Sequence, residues 1–283
     1  MNHRAELALH QYMEKAANGK TTMSPDTIKQ VAQDVSDALQ RQFGGGNKRD
    51  GFRLRMSNIG RPSCQLWYEK NKPEVALPKP TTFVMNMMLG DIVEAVFKGL
   101  LKEAGVQYED SEKVTLELGD KSIDGTYDIV IDGAVDDVKS ASNWSYINKF
   151  ESFDTLKDGD SFGYVGQLAG YARASGKDAG GWWVVNKANG DFKYVPATGL
   201  DVDATLSNIN DSVQEVEGEL KRCFEPEIET FNGKATGNKI LNKNCTFCSY
   251  RFDCWDIEER PAVLSKAKQP KTVAYIELAE EYK

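Results

Sequence analysis

The sequence predicts a protein in which helices alternate with β-hairpins. Three observations predict it: apolar residues recur at helical spacing in several segments, Asp-Gly and Asn-Gly dipeptides sit between short apolar runs, and the composition suits a sizeable core. At 283 residues, 40% hydrophobic and 28% charged, the chain can form one large domain or two modest ones. No apolar run approaches the ~20 residues needed to cross a bilayer. The opening "MNHRAELALHQYMEKAANG" carries acids and lacks the apolar stretch of a secretory signal, so no membrane association and a cytoplasmic location are expected. In that reducing compartment clustered thiols hold metal more often than they form disulfides. A net charge of -8 argues against nonspecific coating of nucleic acid or anionic membrane, yet leaves room for a local basic path.

The first helix signal is "SPDTIKQVAQDVSDALQRQF", with Ser24 as N-cap, Pro25 at the first helical position, and Ile28, Val31, Val35 and Leu39 as an apolar stripe. "GGGNKRDG" then breaks the pattern. With "FRLRMSNIGR" it carries Lys48, Arg49, Arg53, Arg55 and Arg61 against Asp50 alone, which reads either as a solvated loop or as a phosphate-contacting segment. The stretch "TTFVMNMMLGDIVEAVFKGLLKEAG" predicts a helix with Leu89, Val93, Val96, Phe97 and Leu100 inward and Gly105 as its stop. Glu94 falls at the border of that stripe, a position that by itself usually marks a solvated edge.

In "SIDGTYDIVIDGAVDDVKSAS" the Asp132-Gly133 pair signals a type I' turn between two short strands. The register follows from the turn: residue 131 faces 134, 130 faces 135, and Asp128 falls opposite Asp137. Opposed side chains have Cβ atoms ~5 Å apart, so two like charges there are destabilising. Period-two alternation adds Lys139 to the same face and turns Asp136 to the other, where its replacement is expected to be nearly silent. A divalent cation would relieve the repulsion, and the lysine could then orient a water or steady developing negative charge. The bland alternative is an exposed hairpin whose lysine offsets one acid.

Further on, "SFGYVGQLAGYARASG" predicts a helix with Gln167 and Tyr171 on one face. Small residues around them, Gly166, Ala169, Gly170 and Ala172, would admit a neighbouring element or a DNA backbone. "GGWWVVNKANGDFKYVPA" reads as a hairpin turning at Asn189-Gly190, with a buried strand over 182–185. "DVDATLSNINDSVQEVEGELKRC" predicts a helix with Leu206, Ile209, Val213, Val216 and Leu220 inward. Cys223 continues that stripe and is therefore expected in the core, apart from the three cysteines of "CTFCSYRFDC".

Gly125-x-x-Asp128, Asp137-x-Lys139 and Gln167-x-x-x-Tyr171, in this order, resemble the PD-(D/E)XK nucleases of the RecB and AddB type. Cys64 upstream and the C-x2-C-x5-C run of Cys245, Cys248 and Cys254 downstream resemble the iron-sulfur branch of that superfamily, which includes CRISPR-associated exonucleases and phage relatives. The resemblance covers roughly residues 55 to 260. It implies an α/β fold: a restriction-endonuclease-like core with a mixed central sheet flanked by helices, an iron-sulfur subdomain and a helical N-terminal region. The implied divisions are a helical region and linker (1–50), the nuclease core (51–240), the cysteine segment closing onto Cys64 (241–262) and a tail (263–283).

The activity the resemblance implies is metal-dependent DNA hydrolysis, as an exonuclease, in a phage or bacterial replication, recombination or repair setting. DNA ends or single-stranded regions would be its substrate, with replication or recombination proteins as partners. Mg2+ or Mn2+ would be held by Asp128, Asp137 and Glu94, while Lys139 assists the nucleophile. Gln167, Tyr171, Arg53, Arg55 and Arg61 would bind the substrate. Cys64, Cys245, Cys248 and Cys254 would hold a 4Fe-4S cluster, with Zn2+ as the rival occupant because it too accepts four thiolates. Many relatives carry a histidine in the helix before the strands. His3 and His10 lie too near the N-terminus to serve, which leaves Glu94 as the candidate third ligand. The other reading is a cysteine-clamped nucleic-acid-binding or adaptor module whose acidic pocket is not catalytic.

Overall fold

The structure is a computed structural model that describes residues 3–44 and 51–282. Its helices and strands run in chain order as α1 (Arg4–Ala17), α2 (Pro25–Phe43), α3 (Ser63–Asn71), α4 (Phe83–Glu103), β1 (Lys113–Leu118), β2 (Lys121–Thr126), β3 (Ile129–Ile131) and β4 (Ala134–Ala141). They continue as α5 (Phe153–Asp158), α6 (Tyr164–Ser175), β5 (Asp178–Asn186), β6 (Phe192–Pro196), α7 (Val202–Glu215), β7 (Glu227–Phe231), β8 (Lys234–Ile240), α8 (Arg251–Cys254), β9 (Glu258–Pro261) and β10 (Thr272–Glu277). The chain is an α/β protein that divides into two compact units, residues 1–60 with 80–210 and residues 61–79 with 211–283.

These divisions differ from those expected. The N-terminal helices belong to the first unit because α1 and α2 pack on α4. Residues 211–240 fall in the second unit with the cysteine segment, and the tail supplies β10, an interior strand of that unit's sheet. Lys48, Arg49 and Asp50 lie outside the described residues.

The first unit is built on a mixed sheet of order β3-β4-β5-β6, in which β4 and β5 run parallel and the outer pairs antiparallel. Parallel neighbours need a crossover, and α5 and α6 supply it. On one side of the sheet Ala5, Leu9, Phe97, Leu101, Ile129, Ile131, Val138 and Trp183 form a buried core. The hairpin β1-β2 packs beside α6.

Local signals act as the sequence predicts where they depend on few neighbours. Ser24 caps α2 by accepting the Thr27 amide at 3.3 Å. Gly105 ends α4 with φ +77°, and the Val106 amide returns to the Leu101 carbonyl at 3.0 Å. The inward faces of the helices are another matter. Thr27 and Ala38 are the buried residues of α2, while Ile28 and Leu39 are exposed. In α4 the buried residues are Ala95, Phe97, Lys98, Gly99 and Leu101, with Leu89 and Val96 exposed. The close approach of α2 explains the shift, since a Cβ on Gly99 would lie 2.6 Å from a Val31 methyl. A helix flanked by a second helix as well as a sheet buries a different arc from the one its own apolar residues outline.

The second unit carries an antiparallel sheet of order β7-β8-β10-β9 beside α3 and the cysteine segment. Its interior polar group, Glu229, accepts from Tyr275 at 2.8 Å, Asn238 at 2.8 Å and Thr236 at 3.0 Å. No helix among the described residues is long and apolar enough to cross a membrane.

Candidate metal centres

The hairpin β3-β4 has the register that its turn predicts. Ile131 pairs with Ala134, Val130 with Val135 and Ile129 with Asp136, and Asp132 and Gly133 both take positive φ, 52° and 83°. Continued by one residue, that register sets Asp128 against Asp137. The Asp128 carboxylate also accepts the Val138 amide at 2.7 Å, which pins it across the strand pair.

Lys139 stands on the same face as Asp137, its ammonium 2.5 Å from the Asp137 carboxylate and 3.4 Å from the Gln167 side-chain oxygen. The Gln167 amide in turn donates to the Tyr171 hydroxyl at 3.3 Å. Three separate motifs of the sequence therefore meet on one face of one sheet. Glu94 approaches from α4, held by the Lys98 ammonium at 2.8 Å.

Burial and mutual repulsion set the electrostatics. Burial, and then the neighbouring Asp137 charge, push the Asp128 carboxyl up to about 7. Asp137 is raised by burial, although Lys139 opposes the shift. Burial also raises Glu94, with the Asp128 charge adding to it. For Lys139, burial disfavours the ammonium, but Asp137 and Asp128 outweigh it and hold the pKa above the ordinary value. A set of hard oxygen donors that resist ionising beside one another suits a small divalent cation, so the residues present fit Mg2+ or Mn2+.

Glycines shape this site by permitting contact. A Cβ at Gly125 would lie 2.4 Å from the Met56 Cβ and 2.8 Å from the Tyr171 ring, so only a bare backbone lets the strand before Asp128 pass between them. At Gly166 a Cβ would meet the Gly60 Cα at 2.8 Å, and at Gly170 the Met56 sulfur at 2.4 Å. The small residues of α6 thus receive the 56–60 segment. Gly166, Ala169, Gly170 and Ala172 are buried, which leaves no room there for a DNA backbone.

Asp136 does turn to the other face, but that face is closed. It is 1% exposed and accepts from Trp183 Nε1 at 3.1 Å and the Tyr194 hydroxyl at 2.9 Å. A Cβ on Gly180, at the register shift between β4 and β5, would sit 2.1 Å from its carboxylate. The expectation that replacing Asp136 is nearly silent is therefore corrected: the buried Trp183 indole and the half-buried Tyr194 hydroxyl both depend on it.

Arg53 and Arg55 lie in the first unit, beside β2, where the Met56 amide bonds the Asp124 carbonyl at 3.2 Å. The Asn58 side chain fixes the turn by accepting the Arg55 amide at 2.8 Å and donating to the Arg53 carbonyl at 3.2 Å. Arg53 is largely exposed, 3.8 Å from Asp124. Arg61 belongs to the second unit and pairs with Glu69 at 2.9 Å, so the arginines do not form one continuous path within a unit. The histidines are structural: His3 caps α1 and packs edge-on against Trp183, and His10 stacks on Phe192.

Two participants escaped the sequence. Lys98 neutralises Glu94 and Asp110, and its i, i+4 spacing from Glu94 was the available signal. Tyr164 lies under the Lys139 ammonium, 4.9 Å from ring centre to nitrogen, and nothing in the sequence marked it.

The second unit gathers all five cysteines. Burial raises Cys248 and Cys254, and pushes Cys245 up to about 12 with the Cys248 and Cys254 charges adding to it. Thiols held protonated chiefly by burial, with other thiols close by, fit a soft cation or an iron-sulfur cluster. Cys223 departs from expectation. Helix α7 stops at Glu215, so the apolar stripe does not reach Cys223, whose sulfur instead accepts the Cys64 amide at 3.0 Å. Among the described residues no three His, Cys, Asp or Glu side chains converge as a ready-made metal shell.

No known protein family and no curated protein matches the chain. Among solved structures the protein SSO0001 aligns over 81% of this chain and 96% of its own, at 14% identity and a TM-score of 0.39.

Proposed function

We propose that the protein is a metal-dependent deoxyribonuclease of the PD-(D/E)XK type, acting as an exonuclease. The observation that carries this reading is the meeting of Asp128, Asp137, Lys139, Gln167 and Tyr171 on one face of the mixed sheet. Asp128, Asp137 and Glu94 would hold Mg2+ or Mn2+, which when bound supplies Lewis acidity toward a phosphodiester and an acidified water. Lys139, kept protonated by the two aspartates, steadies negative charge on the phosphate or orients the attacking water. Gln167 fixes the lysine's direction and Tyr171 fixes that of Gln167. Cys64, Cys245, Cys248 and Cys254 would hold a 4Fe-4S cluster, or zinc, as a structural clamp of the second unit. Arg53 and Arg55 would contact the phosphate backbone.

The test is cleavage of end-labelled single- and double-stranded DNA with Mg2+ or Mn2+ and a chelator control. Asp137→Asn should lower the rate about 10³-fold or more, a barrier increase of ~4 kcal/mol. A variant within tenfold of the parent, or a parent that binds DNA without cutting it under any metal, would overturn the reading.

A further inference from the structure

Cys223 was expected in an apolar core, and its surroundings are instead polar and sulfurous. Its sulfur accepts the Cys64 amide at 3.0 Å and lies 3.5 Å from the Ser63 hydroxyl. The Cys223 sulfur is thus seated against the backbone of the residue that carries the Cys64 thiol.

The chain that leads to it is tied at three points. Upstream, the Trp67 indole donates to the Gly218 carbonyl at 2.8 Å and Ser63 to the Glu215 carboxylate at 2.9 Å. Adjacent in sequence, the Arg222 guanidinium donates to the Cys254 carbonyl at 2.7 and 3.0 Å and lies over the Trp255 ring. Cys223 is thereby fixed between the helix that carries Cys64 in its first turn and the end of the helix that carries Cys254. An amide donating to sulfur is also what a metal-bound thiolate recruits, because it disperses the sulfur's charge.

We propose that Cys223 is a fifth thiol of the metal centre and shares one coordination position with Cys64, so that either sulfur completes the set with Cys245, Cys248 and Cys254. This rests on the reading of the cysteines as a metal centre. A four-thiolate shell takes four of five sulfurs. The Cys223 sulfur already lies 3.0 Å from the Cys64 amide, so exchanging the two thiols at the shared corner needs side-chain rotation and no new chain path. The arrangement gives the centre a reserve ligand when one sulfur is oxidised or displaced.

The experiment compares the parent, Cys64→Ser, Cys223→Ser, the double variant and Cys248→Ser, all purified anaerobically, by iron, zinc and sulfide per chain and by visible absorption. Each single variant at the shared corner should keep at least half of the parent's metal, while the double variant and Cys248→Ser keep less than a tenth. Cys64→Ser as empty as Cys248→Ser beside a full Cys223→Ser would overturn the proposal, and so would the reverse. A second measurement needs no variant: brief alkylation of the loaded parent with iodoacetamide, mapped by mass. It should label Cys64 and Cys223 each in part and spare the other three. Full labelling of Cys223 with Cys64 protected overturns the shared corner. A parent without iron or zinc removes the metal-centre reading itself, a different failure from these.

Discussion

The acidic site of the first unit and the cysteine site of the second assemble their donors in opposite ways. Asp128, Asp137 and Lys139 lie within one hairpin, and backbone pairing forces the carboxylates together whether or not a cation is present. Repulsion is built into the fold, and neighbouring ammonium groups offset part of it. The cysteines come from three separate stretches of chain, and apart from short helices and individual hydrogen bonds little else closes them around one another. On the proposed reading, the hairpin brings its two carboxylates together without a cation, whereas cysteines drawn from distant segments would take folding energy from a bound metal.

The strongest way to break this contrast is to remove one ligand from each site. Cys248→Ser should cost the second unit more than about 5 kcal/mol, a substantial part of the ~10–16 kcal/mol with which a structural metal binds small thiolate sites. Limited proteolysis should then nick residues 211–283 early while the first unit survives. Equal resistance in both units would show that the metal does not hold the cysteine segment together.

Next in size is Asp136→Ala. It leaves the fully buried Trp183 indole without an acceptor, at about 1–3 kcal/mol, and frees the half-buried Tyr194 hydroxyl, so the melting temperature of the first unit should fall by several degrees. Cation binding measured at permissive temperature should survive. A silent substitution would mean that water reaches this pocket.

The built-in repulsion gives a pH dependence. Asp128 titrates near 7 in the fold, pushed there by burial and by Asp137, well above its value in an unfolded chain. Between about pH 4 and 7 the native state therefore keeps a proton that the unfolded state has released, and metal-free stability falls as pH rises through that window. Asp136, also raised to about 7 by burial, adds to the same slope. Mg2+ should raise the melting temperature more at pH 7.5 than at pH 5, and Asp137→Asn should remove most of that difference. A melting temperature indifferent to Mg2+ at both pH values would mean that no cation enters between the aspartates.

The smallest expected effect lies outside both sites. Replacing Arg53 and Arg55 by Ala should reduce the dependence of log affinity on log salt by ~0.7–0.9 for each phosphate that is no longer neutralised, whatever the DNA sequence. The titration is made with Ca2+ or in the Asp137→Asn background so that no cleavage intervenes. An unchanged slope would return this stretch to a solvated loop.

What the sequence by itself determined is the physics that acts over a few residues. Asp132-Gly133 fixes a turn, the turn fixes a register, and period two then brings Asp128, Asp137 and Lys139 to one face without reference to the rest of the chain. Ser24 and Gly105 bound their helices for the same reason, because a cap bonds the adjacent turn of backbone. Tertiary structure decided whatever depends on what lies across a gap. It chose which arc of α4 is inward, because α2 covers one side of that helix. It closed the face around Asp136, where Trp183 and Tyr194 arrive from neighbouring strands. And it set Cys223 on Cys64, since a helical stripe continues past Glu215 only while the helix does, and where this helix stops the chain is free to carry its thiol to another partner.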